Sequence, residues 1–469
     1  MKTRPPRHLL VAYSWSLNNI GDVGITPGLL NLVRQTEPSA RAVVLTSQAA
    51  GDPAVHFQKG YLPRYLPGCK VVANPFGFLL DVADGKEVRH PAWRSLVGKW
   101  GSRRLEAFQR GCLAAADAEG VASDLLDRFP SEVFRQLARE NPAAAAAFRR
   151  ARFVIYNSGT TLNFGRLGVR NLWGYTLLWL MPLILARWLK VPYGINAQSF
   201  DAVDWPVDLV HRPLLRDAAF VYCRDGDSLA YLKQRDLLCR RTGFRPDSTF
   251  FFNGFDEPWA DAFMKRHRLE DRRFLALAVR IPAEVAHYHD PAGGVLSRER
   301  RELHLRKLAD FIVRWVRETG QPVLLSPETR AVIQPSRELL HARLPAAARK
   351  RCLWLDRFWT TEQAYSIYRR AQMVVSMEMH SIIMAINVGT PALHVPFREA
   401  GRKAWMMNDL GFPDWLLDLD DVPTERLLGT ALGVHRRPEA SRRRVQAALP
   451  RLKRLATSVL REAAAVSLR

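Results

Sequence analysis

Short apolar runs with strand character alternate with longer helical patterns from residue 9 onward, and after a polar break the alternation starts again. A strand followed by a helix and another strand is the pattern of a parallel βαβ unit, so the chain is expected to be α/β with parallel sheets. The first series is Leu9–Tyr13, Ala42–Thr46, Lys70–Ala73, Arg152–Tyr156, Pro192–Ile195 and Phe220–Cys223. The second is Phe274–Val279, Val323–Leu325, Cys352–Leu355, Met373–Val375, Pro391–Val395 and Trp415–Leu417. Between them lies the charge-rich stretch Met264–Arg273. Single cores stop growing beyond about 250–300 residues, and this chain has 469, so two domains are expected, 1–263 and 274–434.

Two segments fall outside that rhythm. Between Asp81 and Arg150 strand signals give way to Ala, Arg, Glu and Leu at helical spacing, which predicts a helical insertion over 81–150 in the first domain. Residues 435–469 carry nine Arg and one Lys against two Glu, with Leu449, Leu452, Leu455, Val459 and Ala463 at three- and four-residue intervals. That spacing predicts an amphipathic C-terminal helix with a basic face, either packed on the domains or touching a membrane surface. The longest apolar run, Leu172–Ala186, would span about 22 Å as a helix against a ~30 Å hydrocarbon core, so it reads as a buried or interfacial helix.

Charge narrows the partners. The net charge is +23, but only 12 of the 69 cations are Lys, and the arginines are spread along the chain without a helix-turn-helix, zinc-finger or aromatic RNA-binding signature. Nucleic acid is therefore not an expected partner; phosphorylated small molecules and anionic lipid are. Five scattered cysteines without a C-x-x-C pair argue against a disulfide framework or thiolate zinc site and fit a reducing compartment. No apolar stretch of signal-peptide length follows the N-terminus, so a cytoplasmic location is expected.

Small polar residues gather where the strands end. The first strand runs into Ser14-Trp15-Ser16-Leu17-Asn18-Asn19-Ile20-Gly21-Asp22, ahead of Thr26-Pro27; the next important one ends in Asn157-Ser158-Gly159-Thr160-Thr161. Later come Asn196-Ala197-Gln198-Ser199, Arg224-Asp225 with Ser228, and Pro246-Asp247. Open parallel sheets bind ligands outside the carboxyl ends of their strands, where helix N-termini favour anions. The first loop lacks G-x-G-x-x-G, so a dinucleotide is not supported. His287-Tyr288-His289-Asp290 offers too few ligands for a metal and reads as a cleft-lining loop.

Taken in order, these segments and Glu378-Met379-His380 through Ala385, Gly389 and Pro391 resemble the polysaccharide pyruvyl transferase family. That family has an early N-x-G-D loop, a Gly-rich strand end, R-D-x-x-S leading to P-D, and a late R-L-H-x-x-x-x-A-x-x-x-G-x-P signature. The resemblance implies two Rossmann-like domains facing across a GT-B-like cleft. It also implies transfer of pyruvyl from phosphoenolpyruvate to a sugar or lipid-linked glycan as a ketal, with no metal or other cofactor. It implies His380 as proton donor or phosphate ligand. Glu378, standing where the family has arginine, joins it as a candidate catalytic residue. Arg280, Arg402, Lys403 and Ser381 are candidates for donor binding; Asn19, Gly21, Asp22, Ser158, Gly159, Thr160, Asn196 and Gln198 for acceptor binding. The expected cleft lies between the Asn19, Ser158, Asn196, Gln198 side and the Arg280, Ser326, Glu328, His380 side. Because a carboxylate at 378 repels phosphate, two alternatives stand beside this reading: a GT-B glycosyltransferase using a nucleotide-sugar, and a non-catalytic glycan-binding relative.

Overall fold

The computed structural model describes residues 7–14, 17–81, 90–162, 172–200, 203–281 and 296–467. The loop His287–Asp290 and residues Trp15 and Ser16 lie outside the described residues. Seven parallel strands make the first sheet: β1 (His8–Ser14), β2 (Ala42–Thr46), β3 (Lys70–Val72), β4 (Ala151–Tyr156), β5 (Tyr193–Gln198), β6 (Val221–Cys223) and β7 (Thr242–Phe244), in the order β3-β2-β1-β4-β5-β6-β7. Five make the second: β8 (Leu275–Ala278), β9 (Val323–Ser326), β10 (Cys352–Trp354), β11 (Met373–Ser376) and β12 (Ala392–His394), in the order β10-β9-β8-β11-β12. Every strand pair is parallel, and helices flank each sheet, giving a two-domain GT-B-like architecture.

The side-chain period of two explains why both faces of the first sheet are apolar. Leu9 and Val11 on β1 enter one core with Val44, Phe153 and Ile155, while Leu10 and Ala12 enter another with Leu45, Val154 and Tyr156. The second core is covered by the inserted helices, among them Pro91–Trp100, Ala115–Asp127, Phe129–Glu140 and Pro142–Arg149, and by helix Leu172–Trp188. That 17-residue helix buries Leu177 through Ala186 almost continuously under the insertion, which accounts for the apolar run. Among the described residues no helix is long and apolar enough to cross a membrane.

Two expectations are corrected. Trp415–Leu417 is not a strand: Pro413 opens a 3-10 turn there, and only Leu416 makes a single bridge, to His394. The three half-buried residues of β7 add a strand that the apolar pattern does not announce.

The C-terminal helix runs over Pro438–Ser467 and returns to the first domain, where Tyr222 hydrogen-bonds Glu462 and Arg245 donates to Ser458 at 2.9 Å. Its inner face buries Val445, Leu452, Ala456, Val459, Leu460 and Ala463. Full burial of a Val or Leu contributes about 1.5–3 kcal/mol against a typical total stability of roughly 5–15 kcal/mol. Ending the chain at Gly433 is therefore expected to abolish cooperative unfolding, as followed by circular dichroism on heating; an unchanged melting curve refutes this packing role.

Candidate active site

In each sheet the strand order reverses once, between β1 and β4 in the first and between β8 and β11 in the second. Those reversals open a crevice at the strands' carboxyl ends, because neighbouring connections leave toward opposite faces. The chain places its candidate residues at both.

On the first side, Asn19 caps helix Ile20–Thr36: its side-chain oxygen accepts from the amides of Gly21 and Asp22 at 2.7 and 3.2 Å. On the second, the Ser376 hydroxyl accepts from the Glu378 amide and donates to the Glu378 carbonyl, turning β11 into helix Met379–Asn387. The two helix starts touch. A Cβ on Gly21 would lie 2.1 Å from the Cβ of His380, so only glycine permits this approach. Backbone bonds close the same junction: the Ile20 amide donates to the Glu328 carbonyl at 3.0 Å and the Arg330 amide to the Asn18 carbonyl at 2.9 Å.

His380 is buried among three carboxylates. Nδ1 lies 3.7 Å from Asp22 and 3.6 Å from Glu328, and Nε2 lies 4.0 Å from Asp247. Burial alone would lower the imidazole pKa, but Glu328, Asp247 and Asp22 outweigh it and hold the value above the ordinary one. Burial likewise works against ionised Asp247 and Glu328, yet both end below the usual carboxylate range: Arg224 and then His380 stabilise Asp247, and His380 and the Ser381 donors stabilise Glu328. Asp22 moves the other way, raised chiefly by burial. The arrangement favours the protonated imidazole, held among carboxylates, with Nε2 buried and lacking a hydrogen-bond partner.

Beside it stands a second charged pair. Arg280 Nε is 3.5 Å from Glu378, its guanidinium lies 5.4 Å from the Phe397 ring centre, and its NH1 is buried without a hydrogen-bond partner. Burial raises the Glu378 carboxyl and lowers the Lys403 ammonium, for which Arg280 is the next cause. Lys403 thus belongs to the same group as Arg280, Glu378, Asp22 and His380.

Other candidates are engaged elsewhere. Ser381 spends its amide and hydroxyl on Glu328, at 2.7 and 2.6 Å, so Glu328 occupies the anion position at this helix N-terminus. Arg402 lies over the Tyr231 ring, 4.6 Å from its centre. Ser158, Asn196 and Ser248 bond one another, the Asn196 amide reaching the two hydroxyls at 3.2 and 2.9 Å. Gln198 donates to the Asn157 carbonyl at 2.5 Å and accepts from the Thr161 amide; Gly159 bridges to Gln198, and Thr160 is buried beside them. The bonds of Ser158, Gly159, Asn196 and Gln198 tie strand ends together.

Arg224 and Asp247, in the R-D-x-x-S and P-D segments, have a place at the site that their spacing in the chain does not reveal. Arg224 donates to Asp247 and Ser199, each at 2.8 Å; Asp225 accepts from Ser199 and from the Ser228 amide. The spacing R-D-x-x-S with a later P-D is thus a buried latch whose outer carboxylate faces His380.

Residues 107–397 match the profile of the family described as Polysaccharide pyruvyl transferase. No curated protein sequence matches the chain. Among solved structures, the α,α-trehalose 6-phosphate synthase of Burkholderia multivorans is similar at 11% identity and a TM-score of 0.53, covering 99% of both chains. Anabaena HepE in complex with UDP and glucose is similar at 12% and 0.51, again over 99% of both. The UDP-GlcNAc 2-epimerase of Methanocaldococcus jannaschii is similar at 10% and 0.51, over 90% of this chain and 91% of that one. At such identities the likeness is one of fold.

Proposed function

The chain belongs to the polysaccharide pyruvyl transferase family, and on that premise we propose that it moves the pyruvyl carbons of phosphoenolpyruvate onto a hydroxyl pair of a glycan. The observation that carries the reading is the pair of buried atoms left without hydrogen-bond partners in one cluster, His380 Nε2 and Arg280 NH1. An acid for the enol carbon and a cation for the phosphate or carboxylate are the two groups this chemistry requires.

The imidazolium of His380 gives its Nε2 proton to the terminal CH2 of the donor. A glycan hydroxyl then attacks the oxocarbenium carbon, its proton passing to Asp22, whose raised pKa suits a base at the acceptor side. The carbon–oxygen bond to phosphate breaks with the pair leaving on oxygen, which takes the proton from Asp22, and the second hydroxyl closes the ketal, its proton returning to His380. Arg280 and Lys403 hold the donor's anionic groups. Glu378 is the carboxylate they hold beforehand, and its raised pKa lets it take a proton and release Arg280 when the donor arrives. The acceptor, whether free or lipid-linked, meets the protein from the Asn19–Asp22 side. Arg443, Lys453, Arg454 and Arg461 form an exposed basic stripe on the last helix that suits a peripheral contact with anionic lipid.

A nucleotide-sugar donor is the second reading, favoured by the fold shared with HepE, whose structure holds UDP and glucose. Thermal melts separate the two, since a ligand at 100 times its Kd adds about 2.7 kcal/mol. Phosphoenolpyruvate is expected to raise Tm and UDP-sugars to leave it unchanged; the reverse result, or no phosphate release with any glycan, overturns the first reading. Arg280→Ala is expected to weaken phosphoenolpyruvate about 10-fold or more, as a charge-assisted hydrogen bond should, and an unchanged apparent affinity removes Arg280 from the donor site.

A further inference from the structure

A cavity of about 460 Å³ is lined by Leu17, Ile20 and Arg330, next to the bonds that join Asn18 and Ile20 to the Glu328–Arg330 segment. Its walls come from both domains: Leu17, Ile20 and helix Pro53–Tyr61 from the first, Phe358–Glu362 and Arg330 from the second, with Phe255 at the crossing between them. Phe57 is 45% exposed and Phe255 39% exposed, two of the five exposed large apolar side chains among the described residues, and both line this one cavity. An exposed aromatic patch in a concave site of this size is a ligand-binding feature rather than a folding one.

The rings are arranged as platforms. Phe57 stacks on Tyr61 with centres 4.9 Å apart, Arg330 covers Phe358 at 4.8 Å, and Arg369 backs Phe255 at 4.7 Å. The ionised groups on the wall balance: Arg64 and Arg330 against Asp256 and Glu362. A phosphate or nucleotide would meet as much repulsion as attraction there. An uncharged polyol with apolar C–H faces meets aromatic surfaces for those faces and donors and acceptors of both signs for its hydroxyls.

We infer that this groove binds uncharged sugar units of an acceptor glycan other than the unit that reacts. The inference rests on the glycan-acceptor reading for its biological meaning, while its physical content is oligosaccharide binding and stands or falls by itself. The continuity is in the chain. Ile20 lines the groove and is followed directly by Gly21 and Asp22, and Arg330 is two residues from Glu328, which lies against His380.

The test measures binding of uncharged gluco- and galacto-oligosaccharides of one to six units by calorimetry, with wild type and Phe57→Ala/Phe255→Ala, neither of which touches the His380 cluster. Affinity for at least one series is expected to rise with chain length, and the double variant to bind the hexamer about 10-fold more weakly, through loss of two stacking platforms, with Tm unchanged. In a transfer assay with phosphoenolpyruvate, the variant should raise KM for long acceptors and leave kcat and the donor KM as they are. If no transfer occurs at all but the binding difference persists, the groove inference holds and the pyruvyl reading fails. Equal hexamer binding by both proteins, no binding by either, or UDP binding that is lost in the variant overturns the inference.

Discussion

Replacing His380 with alanine is expected to slow pyruvyl transfer by about 100- to 10,000-fold, the range for loss of a positioned general acid. Steady-state phosphate release measures it, and a loss below tenfold removes His380 from the chemistry. The accompanying pH dependence has a definite sign. His380 has a folded-state pKa above its ordinary value, so its contribution to stability is complete below about pH 6.5 and is lost as pH rises through the raised value. The rate should follow the same protonation, holding above the ordinary imidazole range and falling beyond it. In the alanine variant Asp22 and Glu328 lose the cation they share while Asp247 keeps Arg224, so its stability deficit should be larger below the ordinary imidazole value than above the raised one.

Arg224→Ala is expected to cost about 3–5 kcal/mol, because it strands the Asp247 carboxylate in a site where neither partner is more than 3% exposed. Urea denaturation monitored by fluorescence reads the loss as a shift in midpoint. Replacing both residues, as Arg224→Met with Asp247→Leu, should restore a large part of that stability while leaving His380 without its Nε2-side anion. A double variant no more stable than Arg224→Ala shows that the hydrogen bonds of Asp247 to Thr249, rather than the ion pair, hold this corner.

Most strands that the apolar pattern located are buried along their length, although Lys70–Val72 and Cys352–Trp354 are only partly so. Ala42–Thr46 is buried throughout, as is Met373–Ser376. β7 escaped because half-buried Thr242, Gly243 and Phe244 carry no such signal, and Trp415 and Leu417 misled because burial at the end of a 3-10 turn and just past it leaves the same apolar trace as burial in a strand. At the site, positions along the chain were legible and side-chain directions were not. Asn19, Asp22, Arg280, Glu378, His380 and Lys403 converge because each sits at a strand end or helix start. Ser158, Asn196 and Gln198 share that placement, yet turn toward one another, since buried amides and hydroxyls must find partners in the nearest strand end. The basic tail was legible as an amphipathic helix; its destination was not, because an apolar stripe does not specify whether protein or lipid covers it.

That destination governs how the two halves can turn. The described backbone passes from one sheet to the other through Phe252–Asp256 and returns along the helix Pro438–Ser467, which lies against β4, β5 and helix Ile20–Thr36. A body joined to another by one strand can swivel in any direction; joined at two separated points, it keeps a single axis. Any turning of one half against the other would therefore have to break the Asn18–Arg330 and Ile20–Glu328 bonds and part the shared core around helix Ile20–Thr36 and helix Met379–Asn387. The carboxylates of Asp22 and Glu328, which reach His380 from opposite halves, are thus held in register by the same double crossing.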